Sequence, residues 1–246
     1  GGVAAGTKAA AKIKRQNRSA EVKILTQSAD ISYAGCGLPY YVGGMIESRE
    51  ELIVNTPEKY TGLTGVEVVT RCEVTSVNFQ AKTVTALCQG QTWLESYDKL
   101  VIATGATPFV PQVEGIRLPG VFTMRTPDDA IALRSYVQDR HCRSAVVVGA
   151  GFIGLEIAEN LQAQGLAVTV IDAADQILPK IFDPEMAGYA RRRLRQNGIR
   201  VLTGTPLSEI TGTERADGVL AGGDDPLFDR TTLWAFTRPD KEGKPA

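Results

Sequence analysis

The chain has 246 residues, 43% hydrophobic and 22% charged, with a formal net charge of −1. That balance describes a globular chain long enough for two domains of ordinary size. It leaves no excess of positive charge for a nucleic acid, and no apolar run of the ~18 residues that a membrane-spanning helix needs. The four cysteines, Cys36, Cys72, Cys88 and Cys142, show no metal-ligand spacing and no dense disulfide pattern, which predicts a reducing cytoplasm. The single histidine, His141, excludes a multi-histidine metal site.

In chain order, Gly1-Gly2-Val3-Ala4-Ala5-Gly6 reads as a glycine-rich turn opening an alanine-rich helix that runs to Gln16. A dinucleotide-binding turn has this form, with pyrophosphate at the helix N-terminus, although Val3 stands where the middle glycine would be. Such a turn normally follows a strand. None precedes it here and there is no initial methionine, so the expectation is a natural start outside this sequence. Val22–Leu25 reads as a strand, and Thr26 and Gln27 stand where a ribose-holding acid would be expected. Next comes Ile31–Gly44, which holds Cys36 between Gly35 and Gly37. Pro39 suits the first turn of a short helix. The positive end of that helix would favour an anionic sulfur, and Ser32 is placed to donate to it.

Thr56-Pro57-Glu58 reads as a helix cap and first turn. Val66–Val69, Val74–Val77, Thr83–Leu87 and Thr92–Ser96 are β-prone runs expected to form antiparallel strands inserted in the first domain. Leu100–Gly105 reads as a buried strand ending in Ala103-Thr104-Gly105. Pro108, Pro111 and Pro119 then stiffen a linker, which sets the expected boundary between residues 1–110 and 111–246.

The second domain opens with the apolar strand Ala145–Val148 and the turn Gly149-Ala150-Gly151-Phe152-Ile153-Gly154, a full GxGxxG. A helix, Leu155–Gln164, is closed by Gly165. A second strand, Val168–Ile171, leads to Asp172, 23 residues after Gly149. This is the order of a dinucleotide-binding unit, with the acid on the ribose. Glu156 falls near the start of the helix. Pro184–Gln196 reads as a helix whose Arg191, Arg192, Arg193 and Arg195 form a solvated face. Ile199–Leu202 and Leu233–Phe236 are β-prone.

The two glycine-rich turns, the Ala-Thr-Gly exit and the run Ser32-Tyr33…Cys36-Gly37-Leu38-Pro39-Tyr40 together resemble the flavoprotein pyridine nucleotide-disulfide oxidoreductases. The resemblance is to their single-cysteine branch of coenzyme A disulfide reductases, NADH oxidases and NAD(P)H sulfur reductases. It implies an α/β fold of two Rossmann-like three-layer domains, truncated at both ends. Residues 1–110 would bind FAD, without their first strand and C-terminal return, and 111–246 would bind NAD. FAD would lie on Gly1, Gly2, Val3, Ala4, Ala5, Gly6, Thr26, Ala103, Thr104 and Gly105. NADH, in preference to NADPH, would lie on Gly149, Gly151, Phe152, Ile153, Gly154, Glu156 and Asp172. Coenzyme A, as substrate or ligand, would meet Lys12, Arg15 and Tyr40.

Cys36 with Ser32 would carry the chemistry. Positions 39 and 41 hold Pro39 and Tyr41, so Cys36 has no nearby cysteine and its partner would be a small thiol or disulfide. Ala4 stands where the oxidase branch carries a histidine, which favours coenzyme A disulfide, coenzyme A persulfide or sulfur as substrate. The alternatives are an NADH oxidase or a non-catalytic, NAD-binding or redox-sensing remnant. A homodimer would form through a domain absent from this chain. Neither a nucleic acid nor a membrane is expected as partner.

Overall fold

The computed structural model describes residues 1–222 and 232–236. In chain order the elements are α1 (Ala4–Gln16), β1 (Lys23–Leu25), α2 (Leu38–Val42), α3 (Arg49–Leu52), α4 (Pro57–Thr64), β2 (Glu67–Val69), β3 (Cys72–Asn78), β4 (Thr83–Cys88), β5 (Gln91–Ser96) and β6 (Val121–Thr123). They continue with α5 (Pro127–Asp139), β7 (Ser144–Val148), α6 (Phe152–Ala163), β8 (Ala167–Ile171), α7 (Pro184–Gln196), β9 (Arg200–Leu202), β10 (Leu207–Thr211), β11 (Gly218–Ala221) and β12 (Thr232–Phe236). Contacts divide the chain into two compact units, Gly1–Ala34 with Glu50–Ala106, and Gly35–Arg49 with Thr107–Ala246. The segment around Cys36, read from the sequence as part of the first domain, therefore packs with the second unit.

In the first unit α1 packs on a parallel pair, β1–β2, with Lys23 opposite Glu67 and Leu25 opposite Val69. This corrects the expectation that Val66–Val69 joins the antiparallel insert. Val66 is fully buried, in one core with Ala10, Ile24, Ile31 and Tyr60, and burying that apolar residue draws β2 to β1. The Tyr60 hydroxyl donates to the Thr7 carbonyl across this core. β3, β4 and β5 form an antiparallel sheet. Cys72 lies opposite Cys88 on it and is disulfide-bonded to it. Lys23 ties sheet to core: its ammonium lies 2.9 Å from Glu95 and 3.4 Å from Glu67, over the Trp93 ring.

The run Leu100–Gly105 is a second correction. It pairs with no strand among the described residues, and Leu100, Val101 and Ile102 are exposed. An extended segment becomes a strand only with a neighbour to complete its ladder, and an apolar composition supplies no neighbour.

The second unit is built on a five-stranded parallel sheet in the order β6-β12-β7-β8-β9, so the Leu233–Phe236 run finds its place between β6 and β7. Ala145, Val146 and Val147 of β7 are fully buried, as a central parallel strand covered on both faces requires. β10 and β11 form an antiparallel hairpin whose Ile210 and Val219 share a core with Val146 and Ile171. α5 was not foreseen. It starts at a capping box in which the Thr126 side chain accepts from the Asp129 amide while the Asp129 carboxylate accepts from the Thr126 amide. α7 spans the expected residues, with Asp183 as its N-cap and Arg192, Arg193 and Arg195 exposed.

Candidate functional site

The second glycine-rich turn sits between β7 and α6. Gly149 has φ +105°, a backbone that side chains rarely adopt, and its amide donates to the Ile171 carbonyl at 2.8 Å. Gly154 is buried in α6. At Gly151, the N-cap, an added Cβ would meet nothing within 4 Å. The protein's own packing therefore does not require a glycine there, whereas the approach of a diphosphate to the backbone does. No acid stands in the first turn of α6 to compete with an anion.

Asp172, at the end of β8, is half-buried. One carboxylate oxygen accepts from the Ala150 amide at 2.6 Å and the other from the Ala174 amide at 2.8 Å. The acid thus fixes the glycine turn, and its remaining lone pairs are those that ribose hydroxyls would use. Phe152 and Ile153 are exposed at the mouth of the turn. Glu156 is the fifth residue of α6, which begins at Phe152 rather than at Leu155. These residues fit a dinucleotide. Gly151→Ala is expected to leave the thermal midpoint of the protein in place and to weaken NADH binding about tenfold or more, because a methyl group fills the diphosphate's space; titration of NADH against both proteins checks it.

The first turn is tighter. A Cβ on Gly1 would fall 1.7 Å from the Ala103 carbonyl oxygen, and one on Gly6 would fall 1.8 Å from the Gly1 carbonyl oxygen. The main-chain nitrogen of Gly1 donates to the Leu25 carbonyl at 2.8 Å. Gly1, Gly6 and Ala103 thus touch at the C-terminal end of β1, while Thr104 and Gly105 are exposed beside them. Val3 caps α1 without a side-chain hydrogen bond, and Ala4 and Ala5 open the helix. The methyl of Thr26 faces Gly2. Thr26 is only 6% exposed, and its hydroxyl has no hydrogen-bond partner among the described residues. A buried hydroxyl without a partner next to a glycine turn fits a ligand's ribose.

Cys36 lies in a 3-10 turn, Gly35–Gly37, directly before α2, and it is free and exposed. Cys142 is also free but half-buried, and burial raises its thiol pKa above the ordinary value. Ser32 belongs to the first unit, with φ +50°, and its backbone is held by Gly2 and Val54. Its hydroxyl accepts from the Asn55 side-chain amide at 3.2 Å. Asn55 was missed, because nothing in the sequence marks a partner 23 residues away. Lys12 and Arg15 are exposed on α1, and Tyr40 is 39% exposed on α2. Among the described residues no cluster of metal-ligating side chains occurs and no helix is long and apolar enough to cross a membrane.

The family profile for pyridine nucleotide-disulphide oxidoreductases matches residues 1–243. The chain is 36% identical over 245 residues to an NADH oxidase of Methanocaldococcus jannaschii, covering 98% of this chain and 54% of that protein. It is 34% identical over 239 residues to a CoA-dependent NAD(P)H sulfur oxidoreductase of Pyrococcus furiosus, covering 97% and 53%. Among solved structures it superposes on the NAD-dependent persulfide reductase of A. fulgidus with a TM-score of 0.90 and 34% identity, over 96% of this chain and 44% of that one. The chain spans about half the length of the curated relatives it matches. The homologues are NAD(P)H-dependent flavoprotein oxidoreductases, and the family uses FAD and NAD(P)H. With two glycine-rich turns, each backed by its own strand and helix, the chain belongs to the pyridine nucleotide-disulphide oxidoreductase family.

Proposed function

We propose that this chain carries the nucleotide-binding turns and the redox-active thiol of an enzyme that reduces coenzyme A disulfide, coenzyme A persulfide or sulfur with NADH. One observation carries the reading. Of the four cysteines, Cys72 and Cys88 are bonded to each other and Cys142 is half-buried, so Cys36 is the thiol open to a small substrate.

The Cys36 thiolate attacks one sulfur of the substrate disulfide, the S–S bond breaks, and a small thiolate leaves. Cys36 is then in a mixed disulfide with the second half of the substrate. Two electrons and a proton release that half as a thiol and restore Cys36, and a second proton neutralises the first leaving group, so one NADH and one proton are consumed per disulfide. FAD, when bound, supplies the two-electron relay between NADH and sulfur. Ser32 is the second residue assigned to the chemistry, and its hydroxyl accepts from the Asn55 side-chain amide. Lys12 and Arg15, three residues apart on one face of α1, are the cations proposed for coenzyme A phosphates, and Tyr40 is a further proposed substrate contact. Gly1–Gly6, Thr26 and Ala103–Gly105 would hold FAD, in a domain spanning residues 1–110. Gly149, Gly151, Phe152, Ile153, Gly154 and Glu156 would hold NADH, with Asp172 the acid for its ribose hydroxyls, in the domain from 111 to 246. A cytoplasmic homodimer completes the reading.

The test supplies the intact flavin-loaded protein with NADH and each of coenzyme A disulfide, coenzyme A persulfide and oxygen alone. NADH consumption that depends on the sulfur substrate supports the reading. Equal consumption with oxygen alone favours the NADH oxidase alternative, the activity named for the M. jannaschii relative. NADH is expected to bind more tightly than NADPH by at least about 1 kcal/mol, roughly fivefold, since Asp172 would repel a 2′-phosphate. Equal or tighter NADPH binding overturns that assignment.

A further inference from the structure

α2 has five residues, too few to hold itself helical in water, so contacts outside it must fix its direction. They come from α5 and α6. Arg134, near the middle of α5, donates from one guanidinium nitrogen to the Ile46 carbonyl at 3.1 Å and to the Glu47 carbonyl at 3.2 Å. Its guanidinium also lies 4.6 Å from the centre of the Tyr41 ring, on α2 itself. One side chain thus holds both the helix and the chain leaving it. The second anchor is Gln164, which follows α6 and donates to the Gly43 carbonyl. Gly43 packs closely on α6: an added Cβ would fall 2.0 Å from the Asn160 side-chain oxygen, so Asn160 would have to shift.

At its exit α2 closes on itself, with the amides of Met45 and Ile46 both donating to the Tyr40 carbonyl. At its entrance stands Cys36, in the turn that runs directly into Leu38. A short helix pinned at its far end sets the direction of the residues that lead into it. We propose that Arg134 is a positioning residue for Cys36: by clamping Tyr41 and the carbonyls of residues 46 and 47 it aims the turn that presents the thiol. The inference rests on the reading of Cys36 as the redox-active thiol, and Arg134 touches neither substrate nor cofactor in it.

The experiment compares Arg134→Ala, Arg134→Lys and the parent protein, all intact and flavin-loaded, by amide exchange and by kinetics. In Arg134→Ala the amides of residues 43–46 are expected to exchange at least about tenfold faster, since the local opening free energy falls. The kcat for disulfide reduction is expected to drop about tenfold, as small misplacements far from the reacting atoms do. The KM for NADH and the rate of flavin reduction by NADH should stay within about twofold, because the glycine turn is untouched. Arg134→Lys keeps a cation over the ring and one donor, and should recover part of both losses. Unchanged exchange overturns the clamp. Faster exchange with unchanged kcat overturns the positioning role, and so does an equal fall in flavin reduction and disulfide reduction. Failure of the Cys36 reading shows elsewhere, as full turnover in Cys36→Ser, so the two failures are told apart.

Discussion

Cys36→Ser is expected to lower coenzyme A disulfide or persulfide reduction at least about a thousandfold, the scale on which loss of a nucleophile acts. Serine occupies the same space in the turn, so the fold and the nucleotide turns are untouched. What is lost is the sulfur, and with it the mixed disulfide. NADH should still reduce bound flavin at close to its usual rate, because hydride transfer does not need the thiol. The other cysteines set the contrast. Cys142→Ser should leave turnover within about twofold, since its half-buried, high-pKa thiol is a poor nucleophile. Cys72→Ser combined with Cys88→Ser removes the cross-strand bond from the antiparallel sheet and should likewise spare turnover. Stopped-flow flavin absorbance and steady-state NADH consumption check both halves. Substantial disulfide reductase activity in Cys36→Ser would remove Cys36 from the mechanism.

Gly6→Ala is expected to have the second largest effect. Its new methyl group would lie 1.8 Å from the Gly1 carbonyl oxygen. That carbonyl has little room to retreat: the Gly1 nitrogen is hydrogen-bonded to the Leu25 carbonyl, and Gly1 is packed so closely on Ala103 that a Cβ there would fall 1.7 Å from its carbonyl oxygen. Overpacking of this kind costs about 3 kcal/mol or more, so the turn opens and FAD affinity falls over about a hundredfold. Gly62→Ala is the control in the same unit. Gly62 lies in α4, where an added Cβ meets nothing within 4 Å, and alanine there should raise stability by about 0.5 to 1 kcal/mol. Flavin content per protein and the thermal midpoint read both variants. A yellow, flavin-saturated Gly6→Ala protein would separate this turn from the cofactor.

The legible parts of the molecule are those whose rules are local. Gly149-Ala150-Gly151-Phe152-Ile153-Gly154 and Asp172 could be read because glycine spacing and strand–helix order lie within one short stretch, and the structure brings Asp172 onto the Ala150 amide. α7 is marked at its C-terminal end by Asn197-Gly198 and at its start by Pro184, with Asp183 as its N-cap in the structure. α5 was equally marked, by Thr126, Pro127 and Asp129, and was overlooked. The illegible parts depend on partners distant in the chain. Whether Leu100–Gly105 forms a strand depends on which segment lies beside it. β2 chose β1 over the strands next to it in sequence because Val66 had a core to enter. The clamp on the cysteine segment joins residues 88 apart, a distance over which no spacing rule operates.

The cysteine segment leaves the first unit after Ala34 and returns at Glu50. At its root the Ala34 amide donates to the Leu52 carbonyl at 2.7 Å, the Val54 amide donates to the Ser32 carbonyl at 2.9 Å, and Tyr33 bridges Ile53. The two ends are therefore stapled whatever lies between them. Lengthening a loop whose ends are already held costs only about 0.6 kcal/mol per doubling. The segment is in that sense a cassette, whose sequence can change while the hydrogen bonds at its root, all within the first unit, stay in place. Exchanging those residues leaves the root intact but has to keep the contacts that Arg134 and Gln164 make to the segment.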